Sequence, residues 1–189
     1  VKSSKSKNWE TLGGSIMYDK IMESVEYIKG KVSRKPKIAI ILGSGLGDLV
    51  NSVENAEDIP YENIPNFPVS TVKGHEGKLV FGNINGIEVL LMQGRFHYYE
   101  GYTMKEVTYP IYVMKQLGVE KIIVTNACGG INKSFEPGTL MLINDFINLF
   151  GDNSLGIYLD GVTNFNGSGD ININGKNIDE VISQILVYI

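Results

Sequence analysis

The run KIAIIL, from Lys37 to Leu42, decides the fold class, and it stops abruptly at Gly43. Such a short, near-continuous apolar run is typical of a strand buried on both faces, as in sheets that helices cover. A second run of this kind, KIIVT from Lys121 to Thr125, also leads into a loop. Together the two runs predict an α/β fold.

A helix is predicted before the first strand. Ile21, Val25, Ile28 and Val32 recur at steps of four, three and four residues, which is the apolar stripe of an amphipathic helix. Pro36 marks the end of this helical pattern.

The middle of the chain predicts a hairpin followed by a helix. Strands predicted over Lys78–Asn83 and Ile87–Met92 flank an Asn-Gly pair, which is a strong hairpin signal. Thr103 and Glu106 form a capping box for a helix to about Leu117, in which Pro110 must either bend the helix or shift its start.

The last third of the chain is less regular. Leu140–Leu149 is predicted to be extended, either as a strand pair or as one run, and Ile178–Ile189 is predicted to be helical. Between them the stretch Asn164–Asn177 is crowded with Asn and Gly, which favour turns.

Composition excludes several classes of protein. The chain has 189 residues, of which 43% are apolar and 20% charged, and this composition does not fit a collagen-like or a disordered protein. A net charge of −4 predicts no general attraction to nucleic acid or to an anionic membrane. The single Cys128 favours a reducing cytoplasm, and no targeting or transmembrane segment is expected.

The loop GSGLG (43–47) follows the first buried strand directly. Its glycines permit positive φ, its amides can form an anion-binding nest, and Ser44 adds a hydroxyl donor. The dinucleotide fingerprint would need glycine where Asp48 stands, and the nucleotide P-loop ending is absent. An anion site and a plain tight turn both remain open on this pattern.

Two groups suited to oxyanions follow the second strand of the hairpin. Arg95 offers a planar fork for a bidentate oxyanion, and His97 can donate from either ring nitrogen. Their alternating spacing allows both side chains to face one side. A functional pair is therefore favoured over the alternative, a surface arginine and a histidine whose hydrogen bonds are satisfied within the protein. The polar loop PVSTVKGHEG (68–77), which carries His75, is interpreted either as a mobile lid or as a solvated connector.

Five segments in this order resemble the trimeric purine nucleoside phosphorylases. They are ILGSGLG (41–47), STVKGHEGKLVFG (70–82), QGRFHYYEGY (93–102), VTNACGGIN (124–132) and PGTLMLINDFINLFGDNSL (137–155). The resemblance implies a single domain over residues 1–189, with a twisted mixed sheet partly closed into a barrel and flanked by helices.

The resemblance also implies a reaction. A purine (2′-deoxy)ribonucleoside and phosphate, as co-substrate, would give free base and pentose 1-phosphate, with no metal and no other cofactor. The phosphate ligands would be Ser44, His75, Arg95, His97 and Ala127. The nucleoside ligands would be Tyr99, Asn126, Cys128, Gly129 and Asn164, with His97 and Asn164 as the catalytic pair. Asn164 would favour 6-oxopurines such as inosine and guanosine.

Beyond Leu155 the chain departs from the family pattern. The family's purine-binding glutamate segment is not recognisable, so the chain is interpreted as shortened around 154–160, and Ile178 replaces a histidine that reaches the ribose. A chain without that segment is expected to bind phosphate but to turn inosine over slowly. Phe150 is the expected aromatic contribution to a neighbouring subunit in a homotrimer.

Two other functions are compatible with the sequence. A methylthioadenosine phosphorylase would share the fold, although QGRFHYYEGY and GHEGKLVFG argue against it. A non-catalytic homologue would keep phosphate binding after losing the purine-binding segment.

Overall fold

The computed structural model describes residues 14–69 and 76–143, together with the backbone of three short strands between 172 and 187. Its helices are α1 (Gly14–Lys31) and α2 (Met104–Leu117). Its strands are β1 (Ile38–Leu42), β2 (Glu54–Pro60), β3 (Lys78–Ile84), β4 (Ile87–Gln93), β5 (Lys121–Ala127), β6 (Leu140–Ile143), β7 (Asn172–Ile173), β8 (Lys176–Asn177) and β9 (Ile182–Val187). All four predicted strands and both well-patterned helices are confirmed.

The described residues form a main sheet of seven strands in the order β2-β3-β4-β1-β5-β9-β6. Strands β4, β1, β5 and β9 run parallel, whereas β2 and β6 pair antiparallel with their neighbours β3 and β9. The predicted mixed sheet is therefore confirmed. The predicted partial closure into a barrel is wrong for the described strands, because β2 and β6 are at opposite ends of the order and closure requires edge strands to pair.

Residues on both faces of β1 and β4 are buried or half-buried, which explains their unbroken apolar runs, whereas β5 has one buried residue, Thr125. Alternate residues of β4 point to opposite faces, so Leu90 joins the core beneath α1 and α2, whereas Leu91 joins a second cluster. Leu49 and Val50, from the 3₁₀ turn Gly47–Ser52, cover this second cluster. Apolar side chains therefore cover both faces of the sheet at β4.

The Asn-Gly hairpin forms as predicted. Ile84 pairs with Ile87 across a two-residue loop, and Asn85 and Gly86 have φ angles of 50° and 78°. Positive φ at both loop positions is the geometry of a type I′ turn, whose twist matches that of the paired strands.

Helix α2 begins at its predicted cap. The Thr103 hydroxyl accepts a bond from the Glu106 amide at 3.3 Å, and the Glu106 carboxylate accepts from the Thr103 amide at 2.8 Å. Pro110 lies inside the helix on its buried side, so it does not shift the helix start.

Thr103→Ala is expected to lower the free energy of unfolding by about 1 kcal/mol through loss of the cap. Bonds from the Thr103 amide and hydroxyl lower the pKa of Glu106, so this carboxylate stabilises the folded chain above its unfolded pKa. That stabilisation is lost as pH falls through the lowered folded pKa. Urea unfolding at neutral and acidic pH should therefore show a difference between Thr103→Ala and wild type that shrinks in acid. Exposed Lys105→Ala is the control, and a pH-independent difference would contradict the cap assignment.

Two elements differ from the sequence prediction. The predicted helix Ile178–Ile189 is wrong over Ile182–Val187, which is strand β9 paired with β5 and β6. A short apolar run such as ISQILV fits both the helical and the strand pattern of apolar residues, and pairing with neighbouring strands makes it a strand. The exposed, acidic edge strand β2 was not predicted, because it lacks alternating apolar residues.

Part of the last third lies outside the described residues. Leu140–Ile143 confirms the start of the predicted extended run, and the rest of that run and the proposed shortening around 154–160 are not described. Within the described part of the chain, neither helix is long and apolar enough to cross a membrane.

Candidate active site

Three parallel strands bring three loops to one edge of the sheet. Leu42 pairs with Gln93 across β1 and β4, and Ile41 pairs with Val124 across β1 and β5. The carboxyl ends of β4, β1 and β5 are therefore adjacent, which is where open α/β sheets bind ligands. Ser44 and Arg95 lie in the loops that leave β1 and β4, and Ala127 is the last residue of β5, so the structure brings these three predicted residues to the same edge.

The glycine loop after β1 turns tightly against β5. Gly43 is buried, Gly45 has a φ of 80°, and the Leu46 amide donates to the Gly43 carbonyl at 3.1 Å. A Cβ atom added at Gly43 would lie 2.4 Å from the Thr125 carbonyl oxygen, so only glycine allows this approach. Ser44, next in the loop, is exposed and leaves its hydroxyl open to a ligand.

Thr125, in β5, holds this loop against the sheet by hydrogen bonds. Its hydroxyl accepts a bond from the Gly43 amide at 2.9 Å and donates to the Ile41 carbonyl at 3.0 Å. Gln93 supports the loop from the other side, since its side-chain amide nitrogen donates to the Gly47 carbonyl at 3.2 Å.

Arg95 lies half-buried at the same edge. Its Nη1 donates to the Thr125 carbonyl at 3.1 Å, and its buried Nε has no hydrogen-bond partner among the described residues. Burial lowers the pKa of Arg95, and the nearby Tyr99 phenol acts in the opposite direction. An arginine nonetheless keeps its charge at neutral pH, so this edge presents a fixed cation with remaining donors.

The backbone before Arg95 is held by a buried phenol. Gly94 has a φ of 99°, and its carbonyl accepts a bond of 2.6 Å from the Tyr61 hydroxyl. The Tyr61 ring also packs on Phe96, with ring centroids 5.2 Å apart. Burial raises the pKa of Tyr61, so its hydroxyl stays a donor across the working pH range.

His97 is oriented by a carboxylate that sequence reasoning missed. Glu100, whose side chain is 3% exposed, accepts from the His97 ring Nδ1 at 2.7 Å and from the His97 amide at 2.9 Å. The Tyr99 ring stacks on the imidazole at 4.7 Å and is 76% exposed, so it offers an aromatic surface beside the site. The three-residue spacing of His97 and Glu100 is a capping-box pattern and was the available signal.

The last two residues of β5 and the loop after it complete the described edge. Asn126, Ala127 and Cys128 are half-buried, and Gly129 is exposed. Their backbone groups can therefore face a ligand, and their predicted binding roles stay predictions. No group of three His, Cys, Asp or Glu side chains suited to a metal lies within residues 14–69 and 76–143.

Two predicted site residues, His75 and Asn164, lie outside the described residues, as do Phe150 and Ile178. Both flanks of the loop that carries His75 are described. The Tyr102 hydroxyl donates to the Val69 carbonyl on one side, and the Tyr61 amide donates to the Gly77 carbonyl at 2.8 Å on the other.

Comparison with known proteins gives one family and many relatives. The model of the phosphorylase superfamily matches residues 37–181. Purine nucleoside phosphorylase 1 of Geobacillus stearothermophilus is 58% identical over 135 residues, which are 71% of this chain and 49% of that relative. The chain thus spans about half the length of the curated relatives it matches.

The solved structures similar to this chain include purine nucleoside phosphorylases. Isoform 2 of purine nucleoside phosphorylase from Schistosoma mansoni, solved with cytosine and ribose-1-phosphate, is 47% identical, with a TM-score of 0.62 over 66% of this chain and 44% of that one. A Schistosoma mansoni purine nucleoside phosphorylase solved with hypoxanthine is 44% identical, with a TM-score of 0.61 over 66% of this chain and 43% of that one.

Proposed function

The chain belongs to the phosphorylase superfamily, and we propose that it serves the reversible phosphorolysis of purine (2′-deoxy)ribonucleosides. Free base and pentose 1-phosphate would be the products, and 6-oxopurine nucleosides such as inosine and guanosine the preferred substrates. The observation that carries the proposal is the convergence of the glycine loop, Arg95 and the end of β5 on one sheet edge. Relatives at 44–58% identity named purine nucleoside phosphorylase support it.

The chemistry assigns separate tasks to this edge. Departure of a purine leaves an electron-poor ribosyl carbon, so a catalyst must hold phosphate beneath the sugar and stabilise charge on the leaving base. Ser44, Arg95, His97 and the Ala127 amide are the proposed phosphate ligands, and no metal is required. Exposed Tyr99 is proposed to pack against ribose. Asn164 remains the proposed purine ligand, with His75 closing beside phosphate.

The test is base release from inosine with and without phosphate. The proposal expects slow, phosphate-dependent release of hypoxanthine together with ribose 1-phosphate. Release without phosphate would indicate hydrolysis and would contradict phosphorolysis. Fast turnover by a chain of verified 20.9 kDa mass would contradict the need for the unrecognised purine-binding segment.

Binding experiments separate the two alternatives. A nucleoside phosphorylase should bind both phosphate and hypoxanthine, whereas a non-catalytic homologue should bind the anion alone. Faster turnover of methylthioadenosine than of inosine would favour a methylthioadenosine phosphorylase.

Ser44→Ala is expected to weaken phosphate binding by about 0.5 to 1.5 kcal/mol, because one neutral hydroxyl donor is lost while the loop amides remain. Isothermal titration with inorganic phosphate measures the change. Ser52→Ala, at the end of the following 3₁₀ turn, is the matched control. Unchanged phosphate affinity in Ser44→Ala would remove Ser44 from the site.

The proposal includes a homotrimer and a cytoplasmic location. A trimer would let Phe150 of one subunit reach the site of its neighbour, and light scattering at working concentration tests this assembly. A monomer would contradict the shared site. The cytoplasmic location is supported by Cys128 being the single cysteine of the chain.

A further inference from the structure

We propose that Thr125 is a positioning residue that holds the glycine loop and Arg95 in the geometry that binds phosphate. The inference rests on the proposed function and adds a residue that no sequence motif assigns to it. Thr125 is the one buried residue of β5, 6% exposed, and lies two residues before the proposed Ala127 ligand.

The hydroxyl of Thr125 fixes the glycine loop. It uses its one hydrogen to donate to the Ile41 carbonyl and a lone pair to accept from the Gly43 amide. Both bonds span β1 and β5, and the second reaches the first residue of the loop. This hydroxyl therefore attaches the start of the loop, next to Ser44, to β5, while Gln93 supports its end at Gly47.

The carbonyl of Thr125 fixes Arg95. It accepts the 3.1 Å bond from Nη1, which is half-buried against the end of β5. One residue thus holds both parts of the proposed phosphate site: its hydroxyl holds the neutral glycine loop, and its carbonyl holds the cationic Arg95. A binding site needs such support, because small displacements of its ligands weaken binding disproportionately.

The close approach at Gly43 makes the arrangement sensitive to this residue. The Thr125 carbonyl oxygen lies 2.4 Å from the position a Gly43 Cβ would occupy, so loop and strand are in direct backbone contact. Loss of the hydroxyl leaves the buried Gly43 amide without that partner, and the loop is expected to move away from β5 to reach water.

The test compares Thr125→Val, which removes the hydroxyl at nearly constant shape, with Thr125→Ser, which keeps it. Phosphate and hypoxanthine affinities are measured by titration at a temperature where all variants are folded. Thr125→Val should weaken phosphate binding about tenfold or more while Thr125→Ser stays near wild type. Hypoxanthine affinity should change little in either variant. Thr108→Val, which loses the hydroxyl bond to the Met104 carbonyl in α2, is the matched control and should bind phosphate normally.

Several results would overturn the inference. The inference would be wrong if Thr125→Val and Thr125→Ser lost phosphate affinity equally, or if Thr125→Val lost affinity for phosphate and hypoxanthine equally. It would also be wrong if Thr125→Val bound phosphate with wild-type affinity. If Thr125→Val does not fold, methyl NMR of wild type decides: phosphate should shift the Thr125 methyl resonance and leave that of Thr108 in place. Absence of phosphate binding by wild type would overturn the proposed function as well, whereas an Arg95-dependent site insensitive to Thr125 would overturn this inference alone.

Discussion

Replacing Arg95 with alanine is expected to weaken phosphate binding by about 1.5 to 3 kcal/mol, because a charge-assisted contact is lost from a partly desolvated position. Arg95 is the one proposed phosphate ligand in the described chain with a permanent positive charge, and its guanidinium is held by the Thr125 carbonyl at 3.1 Å. Isothermal titration with phosphate measures the loss. Hypoxanthine affinity should be nearly unchanged.

Arg34→Ala is the matched control for this prediction. Arg34 precedes β1 and pairs with Glu57 at 2.9 Å, so it lies at the amino end of the strand whose carboxyl end holds the proposed site. Removing it takes away the same charge far from the anion. The assignment would be contradicted if Arg34→Ala and Arg95→Ala lost phosphate affinity equally. It would also be contradicted if Arg95→Ala lost affinity for phosphate and for hypoxanthine equally.

Gly43→Ala is expected to lower the free energy of unfolding by about 1 to 3 kcal/mol, as overpacking of a filled site does. The added methyl would approach the Thr125 carbonyl oxygen to 2.4 Å and the Asn126 Cα to 2.7 Å. Both are backbone atoms, so relief requires β1 and β5 to separate where the phosphate site begins. Urea unfolding measures the effect, and phosphate affinity should fall with it.

Gly47→Ala provides the comparison within the same loop. A Cβ there would meet only the Gln93 side-chain nitrogen at 3.7 Å, which is an ordinary contact. Its stability should therefore stay close to that of wild type. If Gly43→Ala were as stable as Gly47→Ala, the close packing of the loop on β5 would be refuted.

The sequence predicted β1, the hairpin turn and the start of α2 because each of these depends on residues that are close together in the chain. KIAIIL became β1, and the Asn85-Gly86 pair gave its turn because positive φ is cheap at those residues. The Thr103 and Glu106 pair capped α2 at the predicted residue. Edge strand β2 was not predicted because its first five residues are exposed and mostly polar or acidic. Strand β9 was not predicted because its apolar run fits a helix and a strand alike.

The candidate site was predictable in part. Glycine and arginine after buried strands indicate an anion site, since strand order places their loops at one edge. The supporting contacts of Thr125 with Gly43 and of Tyr61 with Gly94 join residues 82 and 33 positions apart, so no spacing in the sequence reveals them. The three-residue spacing of His97 and Glu100 was a local signal for the third supporting contact. Roles for Ala127 and Tyr99 came from resemblance alone and stay predictions.

An NMR titration of the 189-residue chain with inorganic phosphate both detects the bound anion and locates it on the sheet edge or elsewhere. Phosphate should cause saturable shifts of the amides at Ser44, Arg95 to His97 and Ala127, and should leave those of the distant hairpin turn Asn85-Gly86 unmoved. Shifts confined to other surfaces, or no saturable shift at all, would contradict the assignment of this sheet edge as a phosphate site.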